Sequence, residues 1–267
     1  METNMQIRNR RDWLVAATLL GLVATGGCGI SPAIKRAGRT DEQKQQLIKP
    51  GMFGDNAPAD RLRGRFDFWN EEVIRQDVAV GTVFMGDSIT ELWELAAYFA
   101  PSDGVILNRG IGGDITPHMA RRFEADVIQL KPRNVVILAG TNDVARMLSA
   151  KKTEDETMSQ VMTNMEAMVD AAQKAGINVF ICSILPTNPD TGNHAGKAPI
   201  LPKINEKLKA MCAAKHCIYV DYAAHMSNSA GELPRDLARD GLHPHYAGYA
   251  IMARVLNDAA RANGLRL

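Results

Sequence analysis

Five short apolar runs punctuate the chain: Val78 to Met85, Val105 to Leu107, Val135 to Ala139, Val179 to Leu185 and Ile218 to Val220. The stretches between them carry apolar residues at helical spacing, and strands alternating with helices in this way predict a parallel sheet with helices on both faces. The longest helical pattern lies between the third and fourth runs. Thr153-Glu154-Asp155-Glu156 makes a capping box, in which the threonine side chain and the last glutamate satisfy each other's otherwise orphaned backbone N–H groups. Met158, Val161, Met162, Met165, Met168, Val169 and Ala172 then share one face until Gly176 stops the helix. A Met-rich stripe of this kind can serve as an adaptable binding surface, but confinement to one face reads as core packing. A last helix follows Pro244, carries Ile251, Val255, Leu256 and Ala259, and ends near Gly264. No internal repeat or low-complexity segment interrupts the pattern.

In open parallel sheets, ligands bind outside the carboxyl ends of the strands. Each segment that leaves a strand here carries candidate chemistry. Gly86-Asp87-Ser88-Ile89 follows the first run, Asn108-Arg109-Gly110-Ile111-Gly112-Gly113-Asp114 the second, and Gly140-Thr141-Asn142-Asp143 the third. The polar loop from Pro186 to Pro199 follows the fourth, and Asp240-Gly241-Leu242-His243 comes after the fifth. Serine is a weak nucleophile until a base takes its proton and a third group holds that base. Ser88, His243 and Asp240 are the residue types for those roles. Asp240, three residues before His243, can reach Nδ1 across one turn and leave Nε2 for the Ser88 hydroxyl. The bland alternatives are a helix N-cap at Asp87 and Ser88, a solvated Asp-Gly turn at Asp240, and a turn-forming Asn142. A metal site built from Asp240, His243 and His245 is disfavoured, because no further ligand cluster stands out and a serine mechanism needs no metal. The chain also lacks the Gly-x-Ser-x-Gly elbow of α/β-hydrolases.

The four blocks around Ser88, Gly113, Asn142 and His243 resemble, in order and content, those of the SGNH hydrolases, or GDSL esterases and lipases, over roughly residues 60 to 265. The first block has Ile89 where the family name has Leu, and His245 stands where members often carry Asn. The resemblance implies a three-layer α/β/α sandwich around a five-stranded, flavodoxin-like parallel sheet. It implies a cofactor-independent serine esterase with Ser88 as nucleophile, His243 as base and Asp240 as its orienter. The oxyanion hole would combine the Ser88 and Gly113 N–H groups with the Asn142 amide. Members act on acetylated sugars, lysophospholipids, thioesters and aryl esters. The Pro186–Lys197 segment is almost wholly polar, which favours short acyl groups such as those of acetylated carbohydrate, since a long acyl chain needs a continuous apolar lining. A catalytically silent binding lipoprotein is the alternative from a different functional class.

The 267 residues, 46% of them hydrophobic, suffice for one α/β domain with a buried core. Residues 1–27 read as a signal peptide: Arg8, Arg10 and Arg11 precede an apolar stretch from Trp13 to Thr25, too short for the ~20 residues of a spanning helix. Gly26-Gly27-Cys28 resembles a bacterial lipoprotein signal, which implies lipid on Cys28, a membrane partner through that anchor, and an outer-membrane protein of the cell envelope facing the periplasm. Residues 28–59, poor in apolar periodicity and rich in Gly and Pro, are expected to be a flexible tether to a hydrolase domain spanning 60–267. Without residues 1–27 the chain holds 28 basic and 28 acidic residues, which argues against nucleic acid as a partner. Cys182 lies within an apolar run and reads as a buried small hydrophobe. Cys212 and Cys217 flank a helix-to-strand turn, and both a short-loop disulfide and two free thiols remain open.

Overall fold

A computed structural model describes residues 35–267 apart from 55, 102, 192–196 and 198. Five strands, β1 (Val80–Gly86), β2 (Val105–Gly110), β3 (Asn134–Leu138), β4 (Asn178–Cys182) and β5 (Ile218–Val220), form one parallel sheet in the order β2-β1-β3-β4-β5. The strands are apolar on both faces, so alternate residues feed two cores. Val83, Met85, Val135, Ile137, Val179 and Ile181 face a core that includes helices α2 (Asp60–Arg75), α4 (Thr116–Asp126), α6 (Glu154–Lys174) and α7 (Leu201–Lys215). Phe84, Val136, Leu138, Phe180 and Cys182 face a second core with α8 (Tyr222–Met226), α9 (Tyr246–Ala262) and the segment from Ile89 to Phe99. This is the three-layer α/β/α arrangement expected.

The capping box at Thr153 forms, Val161, Met165, Met168, Val169 and Ala172 are buried, and Met158 and Met162 pack partly exposed beside them. Gly176 leaves the helix at a φ of 73°. The chain turns back between β1 and its two neighbours, β2 on one side and β3 on the other, so the sheet's topological switch point lies at the carboxyl end of β1. Ser88 opens the short helix α3 (Ser88–Glu91) at that point.

One expectation changes and one open alternative closes. Residues 28–34 lie outside the described residues, but from Arg36 onward the expected tether lies against the domain. Arg36 pairs with Val78, and the buried Arg39 guanidinium donates to the carbonyls of Val78 and Leu130 at 3.0 and 2.6 Å. Asp77 accepts from the N–H groups of Gly38 and Arg39, and Ile48 exchanges hydrogen bonds with Gln129. A short helix α1 (Asp41–Gln45) carries its own capping box at Thr40. These polar anchors leave no apolar period to read. Cys182, Cys212 and Cys217 are free thiols, so Cys212 and Cys217 do not form a disulfide. Contact with Cys217 and burial raise the Cys212 thiol, while the same contact lowers that of Cys217.

Candidate active site

Asp87, the N-cap of α3, directs Oδ1 to the Ile89 N–H at 3.0 Å. Because Asp87 caps the helix, the Ser88 hydroxyl is left for another partner, and Ser88 Oγ lies 2.8 Å from His243 Nε2. His243 Nδ1 lies 2.6 Å from Asp240 Oδ2. The other carboxylate oxygen, Oδ1, accepts from the backbone N–H groups of Leu242 and His243 at 3.0 and 2.8 Å. Partial burial works against ionisation of Asp240, but these bonds from His243 and Leu242 outweigh it and hold the carboxyl down at about 2.

The turn carrying Asp240 and His243 has a brace that motif reading did not anticipate. Gly241 sits at a φ of 77°, and a Cβ there would fall 1.9 Å from Thr191 Oγ1 and 2.9 Å from Asn188 Cβ. Asn188 N–H donates to the Gly241 carbonyl at 2.9 Å. The loop after β4 thus holds the histidine turn from behind. His194 lies outside the described residues. Lys197 is buried, and burial lowers its pKa against the pull of Asp87 and Asp240.

Gly112 and Gly113 bring their loop against the nucleophile, since a Cβ on Gly112 would stand 3.5 Å from Ser88 Cβ. Gly113 has a φ of 80°, a conformation that favours glycine. Arg146 donates to the Gly113 carbonyl at 3.0 Å, and Glu91, paired with Arg61 at 2.6 Å, accepts the Gly112 N–H. Asn142, in the first turn of α5 (Thr141–Ser149), directs its amide nitrogen to the Asp114 carbonyl at 3.0 Å and to Asp87 Oδ2 at 3.3 Å. Beside it, Asp143 accepts from Thr116 N–H and Oγ1 and from Gln160, tying α5 to α4 and α6. Ser88, Gly113, Asn142, Asp240 and His243 therefore meet at one edge of the sheet.

Beneath the site lies a buried charge layer. Arg122 donates to the Gly86 carbonyl at 3.2 Å, to Asp114 at 2.9 Å and to Asp126 at 2.9 Å, and Arg63 donates to Asp126 at 2.6 and 2.8 Å. Burial would raise the Asp126 carboxyl, but Arg63 and Arg122 overcome it and the pKa is lowered. This layer connects the strand end before Ser88 with the loop after Gly113. Among the described residues, no group of three or more His, Cys, Asp and Glu side chains converges as an ion site.

The GDSL-like Lipase/Acylhydrolase family model matches residues 84–251. The chain belongs to this family. The GDSL-family relatives and neighbours agree with an ester hydrolase. The platelet-activating factor acetylhydrolase IB subunit alpha1 of Rattus norvegicus is 28% identical over 66% of this chain and 72% of that protein. An acetylxylan esterase of Geobacillus stearothermophilus is 25% identical over 56% of this chain and 68% of its own length. An uncharacterized lipoprotein of Bacillus subtilis (strain 168), YqeF, is 32% identical over 33% of this chain, a match that spans about a third of that relative, 36%. The crystal structure of a GDSL-like lipase from Bacteroides thetaiotaomicron VPI-5482 superposes with a TM-score of 0.62 at 27% identity, covering 77% of this chain and 99% of that one. The chain is accordingly a GDSL-family ester hydrolase.

Proposed function

We propose that this GDSL-family hydrolase cleaves short-chain carboxylic esters through a serine acyl-enzyme, with acetylated carbohydrate as its substrate class. The observation that carries the mechanism is the continuous chain Ser88 Oγ, His243 Nε2, His243 Nδ1, Asp240 Oδ2, with separations of 2.8 and 2.6 Å. Ser88 Oγ attacks the ester carbonyl carbon as its proton passes to His243 Nε2, and the Asp240 carboxylate stabilises the imidazolium that forms. The oxyanion takes the Ser88 and Gly113 N–H groups and the Asn142 amide, which exchanges its longer bond to Asp87 for the developing charge. His243 returns its proton to the leaving alkoxide. Water then attacks the acyl carbon, His243 takes a proton from it, and collapse frees the acid and restores the Ser88 hydroxyl.

The preference for short acyl groups is supported by what borders the triad. Trp93, Leu95 and Phe99, the large apolar residues after the nucleophile, are buried in the second core and pack there in place of building an acyl pocket beside Ser88. Leu92 is exposed, and the neighbouring loop contributes Thr187, Asn188, Thr191 and Lys197. Both named enzymes among the relatives act, by their names, on acetyl groups. The test is a series of aryl esters from acetyl to palmitoyl, run beside acetylated xylan and lysophosphatidylcholine. Rates falling with chain length, with turnover of the xylan, are expected; rates rising with chain length replace this reading with a lipase or lysophospholipase.

We also propose that residues 1–27 are a signal peptide and that Cys28 carries lipid, anchoring the enzyme at the periplasmic face of the outer membrane. The similarity to a named lipoprotein supports this address. Residues from Arg36 onward lie against the hydrolase domain, which we take to include much of the expected tether. The eight-residue span from Cys28 to Arg36 reaches at most ~28 Å when extended, which keeps the enzyme close to the surface that anchors it.

A further inference from the structure

A cleft beside His243 has no role in the chemistry described above. It encloses about 180 Å³ and is lined by Leu92, Glu94, Tyr98, Pro244, His245, Tyr246 and Tyr249. Two chain connections place it at the catalytic centre: Leu92 N–H donates to the Ser88 carbonyl at 3.0 Å, and Pro244 directly follows His243. Its floor is Tyr249, only 5% exposed, whose ring stacks on Trp93 with centroids 5.2 Å apart and whose hydroxyl donates to the Ile89 carbonyl at 2.8 Å. Its rim is Tyr246, 67% exposed at the start of α9, held by its own hydroxyl donating to Glu94 at 3.1 Å and by the Tyr98 hydroxyl donating to its carbonyl at 3.2 Å.

The position assigns the cleft to one half of an ester. The oxyanion donors Gly113 and Asn142 come from loops that enter α4 and α5, whereas His243 and the cleft belong to the side of α9. The leaving oxygen departs toward the histidine that protonates it, so the alcohol half of the substrate faces the cleft. The size limits the occupant. At about 180 Å³ the cleft is smaller than the ~300 Å³ at which pockets begin to enclose a drug-sized ligand, so it takes a single ring.

The chemistry of the walls then chooses the ring. An exposed tyrosine face accepts the C–H face of a saturated ring, and its polar edge remains wet. Glu94 adds a carboxylate that accepts hydrogen bonds from hydroxyl groups. A trimethylammonium group would instead need several open ring faces around it. Tyr249 has one face committed to Trp93 and its hydroxyl to Ile89, and the Tyr98 ring packs against both Trp93 and Tyr249, so among the lining rings the exposed Tyr246 offers the open face and such a cage is incomplete.

We propose that the Leu92–Glu94–Tyr246 cleft is a subsite for the sugar ring that bears the ester, with Tyr246 as stacking platform and Glu94 as hydroxyl acceptor. This inference rests on the esterase reading above and names the alcohol that the same site accepts.

The test compares kcat/KM on acetylated xylobiose with kcat/KM on ethyl acetate, which has no ring to stack, in wild type, Tyr246→Ala, Tyr246→Phe and Glu94→Gln. Tyr246→Ala is expected to lower the xylobiose-to-ethyl-acetate ratio about ten-fold, chiefly through KM, as loss of one aromatic stacking contact would. Tyr246→Phe keeps the ring and should retain most of the ratio, and Glu94→Gln should lower it less than Tyr246→Ala. An unchanged ratio in Tyr246→Ala overturns the subsite. So does a selective loss on a 2-acetyl glycerophosphocholine, which would make the cleft a cation site. Wild type that cleaves neither ester defeats the short-acyl reading itself, whereas turnover of both with an insensitive ratio defeats the subsite alone. Circular dichroism confirms folding of each variant, and an exposed Tyr246 leaves the core intact on truncation.

Discussion

Replacing Asp87 by Asn should make the protein more stable at neutral and alkaline pH while making it a poorer catalyst. Asp87 is almost fully buried at the end of β1, between the Ile89 N–H and the Asn142 amide. Burial pushes its carboxyl from the usual 3.8 up to about 7; the Ile89 N–H and His243 oppose that rise, while Asp114 and Asp143 add to it. Between those pH values the native state holds a proton that the unfolded chain has released. Stability from this group is therefore fully present below about pH 3.8 and is lost as pH rises through about 7. At 1.36 kcal/mol per unit, the interval corresponds to about 4 kcal/mol, an upper bound because water entry and relaxation reduce it.

Asn carries no such titration, and its amide oxygen can keep the Ile89 N–H. Its amide group, however, presents a donor to Asn142 where Asp87 presented an acceptor, which favours a flipped Asn142 with oxygen toward the oxyanion position. Loss of one oxyanion donor costs about 3 kcal/mol, or roughly a hundred-fold in kcat. Urea unfolding of both proteins between about pH 4 and about pH 8 gives the difference directly, with equal m-values as the check on a common unfolded state. The stability of Asp87→Asn relative to wild type should climb across that window. A difference that stays flat with pH refutes the argument that an unfavourable buried carboxylate lies beneath the nucleophile.

Three further outcomes follow from the same geometry. Gly241→Ala forces a side chain into a left-handed backbone conformation and against Thr191, so it should destabilise by roughly 1–3 kcal/mol in urea and lower kcat more than KM as the His243 turn shifts. Arg122→Met leaves Asp114 and Asp126 short of a buried partner and should cost roughly 3–5 kcal/mol by thermal or chemical unfolding. Cys28→Ser in the full precursor should abolish incorporation of radiolabelled palmitate and release an active enzyme from the membrane fraction; an unlabelled, freely soluble wild type would exclude the anchor.

Much of the fold was legible because its signals are local. Each strand is a run of residues apolar on both faces, and Thr153 with Glu156 announces its helix within four residues. The candidate triad was equally legible, since Asp240 and His243 are three residues apart and Ser88 follows a strand. The supporting structure was not. Arg39 reaches Leu130, Arg63 reaches Asp126 and Arg122 reaches the Gly86 carbonyl across long chain separations, with single charged residues that leave no periodic trace. The segment from Arg36 to Ala59 read as a tether for this reason: it is held by carbonyls and carboxylates, not by an apolar face. The tyrosine cleft joins residues about 150 positions apart, Glu94 and Tyr246, so only the fold brings it into being. Trp93 and Phe99, close after the nucleophile in sequence, pack in the second core.

The central claim is that Ser88, activated by His243, is the nucleophile. Mass spectrometry after treatment with a fluorophosphonate ester tests it most directly. The account predicts one covalent adduct on the peptide containing Ser88, absent in Ser88→Ala and formed far more slowly in His243→Ala. An adduct on any other serine, or ester turnover by Ser88→Ala at the wild-type rate, would contradict it.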